Sequence, residues 1–178
     1  MAKASDIRLI VSDVDGVWTD GQIVYLGEQR EIKAFNVRDG LAVKLAQRAG
    51  IHVALVTSRR SPALERRARE LGIVEVRQGA ANKLVETERL AQKLELSFDQ
   101  ILYAGDDLPD LAPMTRVAIS AAPADAAPEV LAAATWKLRE RGGRGAFREV
   151  VERLLRERGD WENIVQEFAS GRPEGQSI

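Results

Sequence analysis

Short apolar runs alternate with helical patterns along most of this chain. Strands are predicted for the apolar runs, at residues 7–11, 51–56, 73–76, 101–104, 117–119 and 136–138. Runs that are apolar at nearly every position are typical of strands buried on both faces of a sheet. Helices are predicted between the strands, at about residues 39–50, 61–72, 83–94 and 125–133. This alternation predicts an α/β fold, a Rossmann-like parallel sheet with helices on both faces.

Two segments depart from the alternation. Residues 22–26 and 31–35 are β-like runs separated by Gly27-Glu28-Gln29-Arg30, and they predict a projecting hairpin flap over about residues 18–35. A helix is predicted at 146–158, and residues 159–178 are interpreted as a less regular tail. Because no linker or internal repeat divides the chain, residues 1–178 are expected to form a single domain.

Composition excludes several classes of protein. Lys and Arg number 26 against 27 Asp and Glu, a balance that argues against a general nucleic-acid binder. The chain has no cysteine, so any metal must be bound by oxygen or by the one histidine. No signal-peptide pattern and no apolar run of membrane-spanning length is present, so we expect a cytoplasmic protein without a membrane partner.

Polar side chains follow three of the predicted strands. Asp13, Asp15 and Gly16 come after the first strand and Thr57 after the second, and an acidic loop with Asp106, Asp107 and Asp110 follows the strand at 101–104. The carboxyl ends of parallel strands meet at one edge of the sheet, so these groups are expected to converge. Clustered carboxylates need a cation between them, and a site made only of oxygen ligands suits Mg²⁺.

Lys83 stands at a predicted helix start, where the helix dipole favours an anion rather than a cation. A lysine at this position is explained if it reaches a bound phosphate. The alternative for Asp110 is an ordinary helix residue, and the alternative for Asp13 and Asp15 is a solvated Asp-Gly turn.

The order of these residues resembles the haloacid dehalogenase superfamily of phosphatases. Its four motifs match, in order, Asp13-Val14-Asp15-Gly16, Thr57, Lys83 and Gly105-Asp106-Asp107-Leu108-Pro109-Asp110. The resemblance implies that Asp13 is the nucleophile and Asp15 the general acid and base, and that Thr57 and Lys83 bind the phosphoryl group. It also implies an Mg²⁺ site made by Asp13, the backbone carbonyl of Asp15 and Asp106, with Asp107 and Asp110 in support. Hydrolysis would pass through an aspartyl phosphate.

No stretch between the motifs is long enough for a cap domain, and the chain resembles a capless group of sugar-acid phosphate phosphatases within the superfamily. The resemblance rests on Phe35-Asn36-Val37-Arg38-Asp39-Gly40, Gln78-Gly79, Asn82-Lys83-Leu84, Gly142-Gly143-Arg144-Gly145 and the terminal Gly-Gln-Ser-Ile. It implies that substrate or phosphate is bound by Asn36, Arg38, Asp39, Gly40, Ser58, Arg59 and Arg67. Ser58 stands where that group more often has glycine, and Trp18 where a smaller aliphatic residue is usual.

The same resemblance implies a homotetramer in which hairpins assemble and cover neighbouring sites. A tail ending in Gly171-Arg172-Pro173 and the residues after it is a second candidate lid, and a frayed terminus is the alternative. A substrate-binding role for Arg59 and Arg67 is favoured because arginine binds phosphate and carboxylate in a bidentate way. The alternative is that this run of charges is only a solvated helix face.

Other classes remain open. A phosphoacceptor receiver domain also combines acidic residues, a threonine and a lysine on a parallel sheet, but its acceptor follows a middle strand. A catalytically silent oligomerisation module would keep the fold, and a nine-carbon keto-acid phosphate is the alternative substrate. His52, inside the run at 51–56, is interpreted as a packed core histidine without a catalytic role.

Overall fold

The computed structural model describes residues 4–27 and 31–171. Its strands are β1 (Leu9–Ser12), β2 (Val24–Tyr25), β3 (Glu31–Ile32), β4 (His52–Thr57), β5 (Glu75–Gln78), β6 (Ile101–Ala104), β7 (Ile119–Ala122) and β8 (Trp136–Lys137). Its α-helices are α1 (Val37–Arg48), α2 (Pro62–Leu71), α3 (Lys83–Lys93), α4 (Leu111–Met114), α5 (Pro128–Ala133), α6 (Ala146–Arg158) and α7 (Trp161–Ala169).

The main sheet is parallel throughout and has the strand order β5-β4-β1-β6-β7-β8. Within it, Ser12 at the end of β1 is in register with Leu55 of β4 and with Ala104 of β6. The residues that follow these strands therefore emerge at the same edge. This register brings the polar groups after β1, β4 and β6 together, and the predicted parallel α/β sheet is confirmed.

Each face of the sheet is buried under its own helices. Ile10 of β1 packs in a core that includes residues of α1 and α6, whereas Leu9 and Val11 pack in a second core with residues of α3. Side chains alternate between the two faces along a strand, so a strand covered on both sides must be apolar at successive positions. The two cores explain the continuous apolar run in the sequence.

Trp18 fills space at the edge where the polar groups emerge. The side chain is buried, its ring centroid lies 4.3 Å from that of Phe147 on α6, and its Nε1 donates to Ser12 Oγ at 3.0 Å. The large ring therefore packs against α6 with its polar atom satisfied.

β2 and β3 form an antiparallel hairpin outside the main sheet, with Val24 paired to Ile32 and Tyr25 to Glu31. Part of the predicted turn, residues 28–30, lies outside the described residues. The hairpin exposes the apolar side chains of residues 23–26 and Ile32, and Tyr25 is 71% exposed. Along residues 31–35, Glu31 and Lys33 are partly buried while Ile32 is exposed. Because directly paired residues share a face, Val24 and Ile32 lie on the outer face, while Tyr25 shares the inner face with Glu31.

Two predicted strands are displaced. The run at 73–76 is a strand at 75–78, because Gly72 adopts a left-handed conformation (φ 70°) and Ile73 N still donates to Ala68 O at the end of α2. The run at 117–119 is a strand at 119–122, because Val117 N donates to Pro113 O in the turn after α4. α1 also begins earlier than predicted, at Val37, because Asn36 caps it.

The interpretation of residues 159–178 as irregular is wrong for 161–169, which form α7. Trp161 is buried, and the guanidinium groups of Arg148 and Arg156 each lie 5.0 Å from its ring centroid. Residues 172–178, with the proposed lid, lie outside the described residues. His52 is exposed, because it begins β4 at the opposite edge, so its assignment to the core is also wrong. In the described ranges, no helix has the length and apolar character needed to cross a membrane.

Candidate active site

Asp13 directly follows β1, and the sheet fixes its position. Its backbone N donates to Ala104 O of β6 at 2.9 Å, which continues the parallel ladder by one residue. The carboxylate is buried, and its Oδ2 lies 2.9 Å from Lys83 Nζ. Either charge would be costly to leave buried without the other, so the pair fixes the orientation of the Asp13 carboxylate.

Lys83 joins Asp13 to Asp110. It is the first residue of α3, after the N-cap Asn82, and its Nζ lies 2.8 Å from Asp110 Oδ1. Burial alone would lower the pKa of Lys83, but the carboxylates of Asp13 and Asp110 outweigh it and raise that pKa above its usual value. Lys83 is therefore a permanent cation beside Asp13.

Asp110 holds the acidic loop in place. Tyr103 OH donates to its Oδ1 at 2.7 Å, and the backbone N–H groups of Asp106 and Asp107 donate to its Oδ2 at 3.2 and 3.3 Å. Gly105 permits the close approach, because a Cβ there would lie 2.4 Å from the Asp110 side chain. The alternative of Asp110 as an ordinary helix residue does not explain these contacts.

The carboxylates of Asp13, Asp106 and Asp110 each offer an oxygen within 4.8 Å of the others. Burial and then Asp110 raise the pKa of Asp13 to about 6, and burial and then Asp13 raise the pKa of Asp106 to about 8. Asp106 Oδ1 is buried and has no hydrogen-bond partner among the described residues. This cluster carries more negative charge than Lys83 neutralises, and an oxygen-only set of this kind fits a hard divalent cation.

Gly16 is required at its position for a steric reason. Its φ is 89°, and a Cβ would lie 2.0 Å from Asp106 Oδ2. The turn after Asp15 therefore passes directly over the acidic loop.

The Asp15 side chain lies outside the carboxylate cluster and faces the hairpin. Its Oδ1 pairs with Lys33 Nζ and lies 3.5 Å from Thr19 Oγ1, and its Oδ2 lies 3.9 Å from Arg59 Nε. The resemblance assigned only the backbone carbonyl of Asp15 to the metal, and this orientation is compatible with that assignment. Sequence reasoning missed Lys33.

Thr57, Ser58 and Arg59 follow β4 at the same edge. Thr57 is buried and its Oγ1 accepts from Arg59 N at 3.2 Å, while the Ser58 side chain is exposed. Arg59 Nη2 donates to Glu31 Oε2 of the hairpin at 2.7 Å. The Arg59 guanidinium holds the pKa of Glu31 below its usual range, so this pair stays ionised. Glu31 is a second site residue that the sequence did not reveal.

The other residues expected to contact substrate differ in exposure and in what they bind. Asn36 Oδ1 accepts from Arg38 N at 2.9 Å at the start of α1, and Arg38 is exposed. Asp39 is buried and accepts from Arg148 N at the start of α6 at 2.7 Å, so its carboxylate joins two helices. Burial raises the pKa of Asp39 to about 6.

Gly40 and Arg67 are brought together, because a Cβ on Gly40 would lie 2.2 Å from Arg67 Nη2. Arg67 Nε has no hydrogen-bond partner among the described residues. Asp107 is exposed and caps the following turn, with its Oδ1 accepting from Leu108 N at 2.8 Å. The Asp107 carboxylate therefore acts locally on the loop.

The fold and this arrangement of carboxylates and lysine define a class of protein that the comparisons confirm. The family model described as haloacid dehalogenase-like hydrolase matches residues 68–141. The 3-deoxy-D-manno-octulosonate 8-phosphate phosphatase KdsC of Escherichia coli (strain B / BL21-DE3) is 45% identical over 156 residues, which are 87% of this chain and 82% of that protein. The chain therefore belongs to the 3-deoxy-D-manno-octulosonate 8-phosphate phosphatase family of these hydrolases.

Solved structures agree with this membership. The phosphatase of that name from Yersinia pestis matches with a TM-score of 0.87 and 43% identity, covering 89% of this chain and 86% of that one. The enzyme from Moraxella catarrhalis, crystallised with magnesium ion, phosphate ion and a KDO molecule, matches with a TM-score of 0.90 and 36% identity, covering 93% and 95%.

Proposed function

We propose that this chain is an Mg²⁺-dependent phosphatase that hydrolyses a sugar-acid phosphate, and that the substrate is 3-deoxy-D-manno-octulosonate 8-phosphate. The observation that carries the proposal is the buried cluster in which Lys83 bridges Asp13 and Asp110 beside Asp106. The names of the relatives and the ligands of the Moraxella catarrhalis enzyme supply the substrate and the metal. A nine-carbon keto-acid phosphate is the alternative substrate.

Asp13 and Asp106, with the backbone carbonyl of Asp15, would hold the magnesium ion. The unpartnered Asp106 Oδ1 and the raised pKa values of both carboxyls support this assignment. Asp110 is the weaker ligand, because Tyr103, Lys83 and two backbone N–H groups already occupy its oxygens. When bound, the metal would neutralise charge between the attacking carboxylate and the phosphate.

In the proposed mechanism, Asp13 attacks phosphorus and forms an aspartyl phosphate. Lys83 holds Asp13 Oδ2 and, with Thr57 and Ser58, binds the phosphoryl oxygens. Asp15 donates a proton to the leaving sugar oxygen and then takes one from the water that hydrolyses the intermediate. Asp107 and Asp110 support the loop that carries Asp106.

The carboxylate and hydroxyl groups of the substrate would be bound by residues outside the phosphoryl site. We assign this role to Arg59 and Arg67, and to the segment of Asn36, Arg38, Asp39 and Gly40 at the start of α1, in which the buried Asp39 carboxylate acts by fixing that segment against α6. Arg59 is suited to it because the guanidinium is held by Glu31 yet remains partly exposed. The buried, unpartnered Arg67 Nε also supports the assignment.

We further propose a cytoplasmic, single-domain subunit that assembles as a homotetramer through the hairpin. The support is the exposure of the apolar side chains of residues 23–26 and Ile32, since several large exposed apolar side chains on one short element are typical of an interaction site. The assembly would bring each hairpin toward a neighbouring site.

A panel of phosphate esters compared by kcat/KM with and without Mg²⁺ tests the proposal. The eight-carbon sugar-acid phosphate should have the highest value, and activity should vanish in excess chelator. A preference for nine-carbon acids would support the alternative substrate, and a preference for neutral hexose phosphates would reject the sugar-acid assignment. No turnover of any ester would favour a catalytically silent oligomerisation module.

A further inference from the structure

We propose that Lys33, on the inner face of the hairpin, is a positioning residue that fixes the Asp15 carboxylate for proton transfer. This inference deepens the proposed function and rests on it, because it assumes that Asp15 is the acid and base of a phosphatase.

The first observation is that Lys33 points into the molecule from an exposed element. The hairpin strands expose most of their side chains, yet the Lys33 side chain is only 4% exposed. Lysine is rarely buried without a reason, because removing an ammonium group from water is costly. Its Nζ pairs with Asp15 Oδ1 and lies 3.8 Å from Glu31 Oε1. The buried charge of Lys33 is therefore directed at Asp15.

The second observation is that the two oxygens of Asp15 have different surroundings. Lys33 binds Oδ1, and Thr19 Oγ1 lies 3.5 Å from the same atom. Oδ2 is buried and has no hydrogen-bond partner among the described residues. A carboxylate that is held through one oxygen keeps the hydrogen-bonding capacity of the other, and Oδ2 lies on the side of Arg59, which we assign to substrate binding. Lys33 thus leaves Oδ2 as the oxygen for proton transfer.

The third observation concerns charge. Glu31 lies near Lys33 and pairs with Arg59, whose Nε is 3.9 Å from Asp15 Oδ2. The four side chains carry two positive and two negative charges and are neutral as a group, so Lys33 orients Asp15 within a charge-balanced cluster. Hydrogen bonds between ionised groups are strong and directional, which is what positioning requires.

The leaving group provides the first test. A sugar alkoxide needs a proton to depart, whereas 4-nitrophenolate leaves without one, and kcat/KM reports the step in which the leaving group departs. We expect Lys33→Met to lower kcat/KM for the sugar-acid phosphate about 100-fold, the size of effect produced by a misplacement of about 1 Å. For 4-nitrophenyl phosphate we expect a loss of less than about threefold. Lys33→Arg should restore much of the activity toward the sugar ester.

Lys93→Met is the matched control, because Lys93 pairs with Glu75 remote from the site. This variant should have the same kcat/KM as wild type for both substrates. Equal losses on both substrates for Lys33→Met would overturn the inference, as would wild-type activity toward the sugar ester.

A double-mutant cycle gives a second test. If Lys33 acts through Asp15, then Lys33→Met should change kcat/KM by less than about threefold in an Asp15→Asn background, because the group that it positions is already lost. A full additional loss would show that Lys33 contacts the substrate directly and would overturn the positioning role. If Lys33→Met fails to fold by its thermal melt, Lys33→Gln takes its place in both tests. Absence of wild-type activity on every ester would instead reject the proposed function.

Discussion

The inner cluster of Asp13, Lys83, Asp106 and Asp110 differs from the outer cluster of Asp15, Glu31, Lys33 and Arg59 in what holds it in place. Three inner side chains are almost fully buried, and they follow central strands or begin a long helix. The outer cluster depends on a hairpin whose two strands are two residues long, and the Arg59 side chain is 38% exposed.

This difference separates two tasks. Bond-making groups must be held to within a fraction of an ångström, which rigid elements achieve. Groups that admit and recognise a substrate belong to parts of a protein that open at low free-energy cost. The proposed nucleophile and metal ligands therefore lie in the inner cluster, whereas the outer cluster combines the proposed proton transfer by Asp15 with the proposed recognition of the sugar acid by Arg59.

The largest expected effect breaks the inner cluster. Asp13→Asn should lower turnover of every phosphate ester by at least about 1000-fold, because an amide cannot attack phosphorus. The fold should survive, since the change also removes a charge that Asp106 and Asp110 repel. Steady-state kinetics and urea unfolding check both points, with the exposed Asp99→Asn as control. Retained turnover would remove Asp13 as the nucleophile.

The next effect concerns pH and metal. In the folded chain the pKa of Asp13 is raised to about 6 and that of Asp106 to about 8, mainly by burial, whereas unfolded aspartate has a pKa of about 3.9. The folded state therefore binds more protons than the unfolded state between about pH 4 and pH 8. In chelator, the free energy of unfolding should fall by at least about 1 kcal/mol as pH rises through this range.

Magnesium should reverse this trend, because its ligands must be deprotonated and its affinity should rise with pH up to about 8. Urea unfolding at a series of pH values, with and without Mg²⁺, measures both effects. In chelator, Asp106→Asn should reduce the dependence of the free energy of unfolding on pH in the upper part of this pH range. Parallel curves with and without metal would count against the proposed site.

A smaller effect is expected in the outer cluster. Arg59→Lys keeps the charge but loses the planar bidentate group, so KM for the sugar-acid phosphate should rise about tenfold. For 4-nitrophenyl phosphate, which has no carboxylate, KM should change by less than about twofold. Arg66→Lys, in the helix α2 that follows the loop of Arg59, is the control, because Arg66 is exposed and pairs with Glu70. A similar rise for both substrates would place Arg59 at the phosphoryl group instead.

The smallest effect is expected at Asp39, a buried carboxylate whose replacement should change stability rather than turnover. Asp39 is as buried as the inner carboxylates, but it accepts from Arg148 N at the start of α6. Asp39→Ala should lower the free energy of unfolding by about 1–3 kcal/mol, because a buried N–H loses its acceptor. Asp39→Asn keeps an acceptor and removes the buried charge.

Because the folded pKa of Asp39 is raised to about 6, wild type loses stability as pH rises from about 4 to 6. The Asn variant should therefore gain on wild type across that range in urea unfolding. If Asp39→Asn instead abolishes turnover without changing stability, Asp39 acts on the substrate rather than on the fold.

The sequence predicted the inner cluster residue by residue. Asp13 and the acidic loop follow buried parallel strands, whose ends must meet, and Lys83 was predicted from its unusual place at a helix start. The sequence predicted only half of the outer cluster. Glu31 and Lys33 were assigned to a strand, but alternation along a strand does not say which face meets the site. Asp39 was expected at the substrate, and only packing reveals its bond to α6.

The predicted ends of helices and strands were wrong where a local cap, rather than the hydrophobic pattern, sets the end of the element. Ile73 is apolar and buried, yet the left-handed Gly72 keeps it in the end of α2. α7 was interpreted as part of a less regular tail, although Trp161, Ile164, Val165 and Phe168 have helical spacing. The carboxylate cluster by itself indicates a hard divalent cation, whereas the substrate and the assembly rest on the family resemblance.

The alternation of inner and outer side chains along residues 31–33 sets how this hairpin can evolve. Substitution at Ile32 alters the outer surface and leaves Glu31 and Lys33 in place, so assembly and catalysis can diverge independently by point mutation. A single inserted or deleted residue, by contrast, would turn every following side chain to the opposite face. Lineages carrying this segment should therefore change its outer residues, and the assembly with them, more readily than its length.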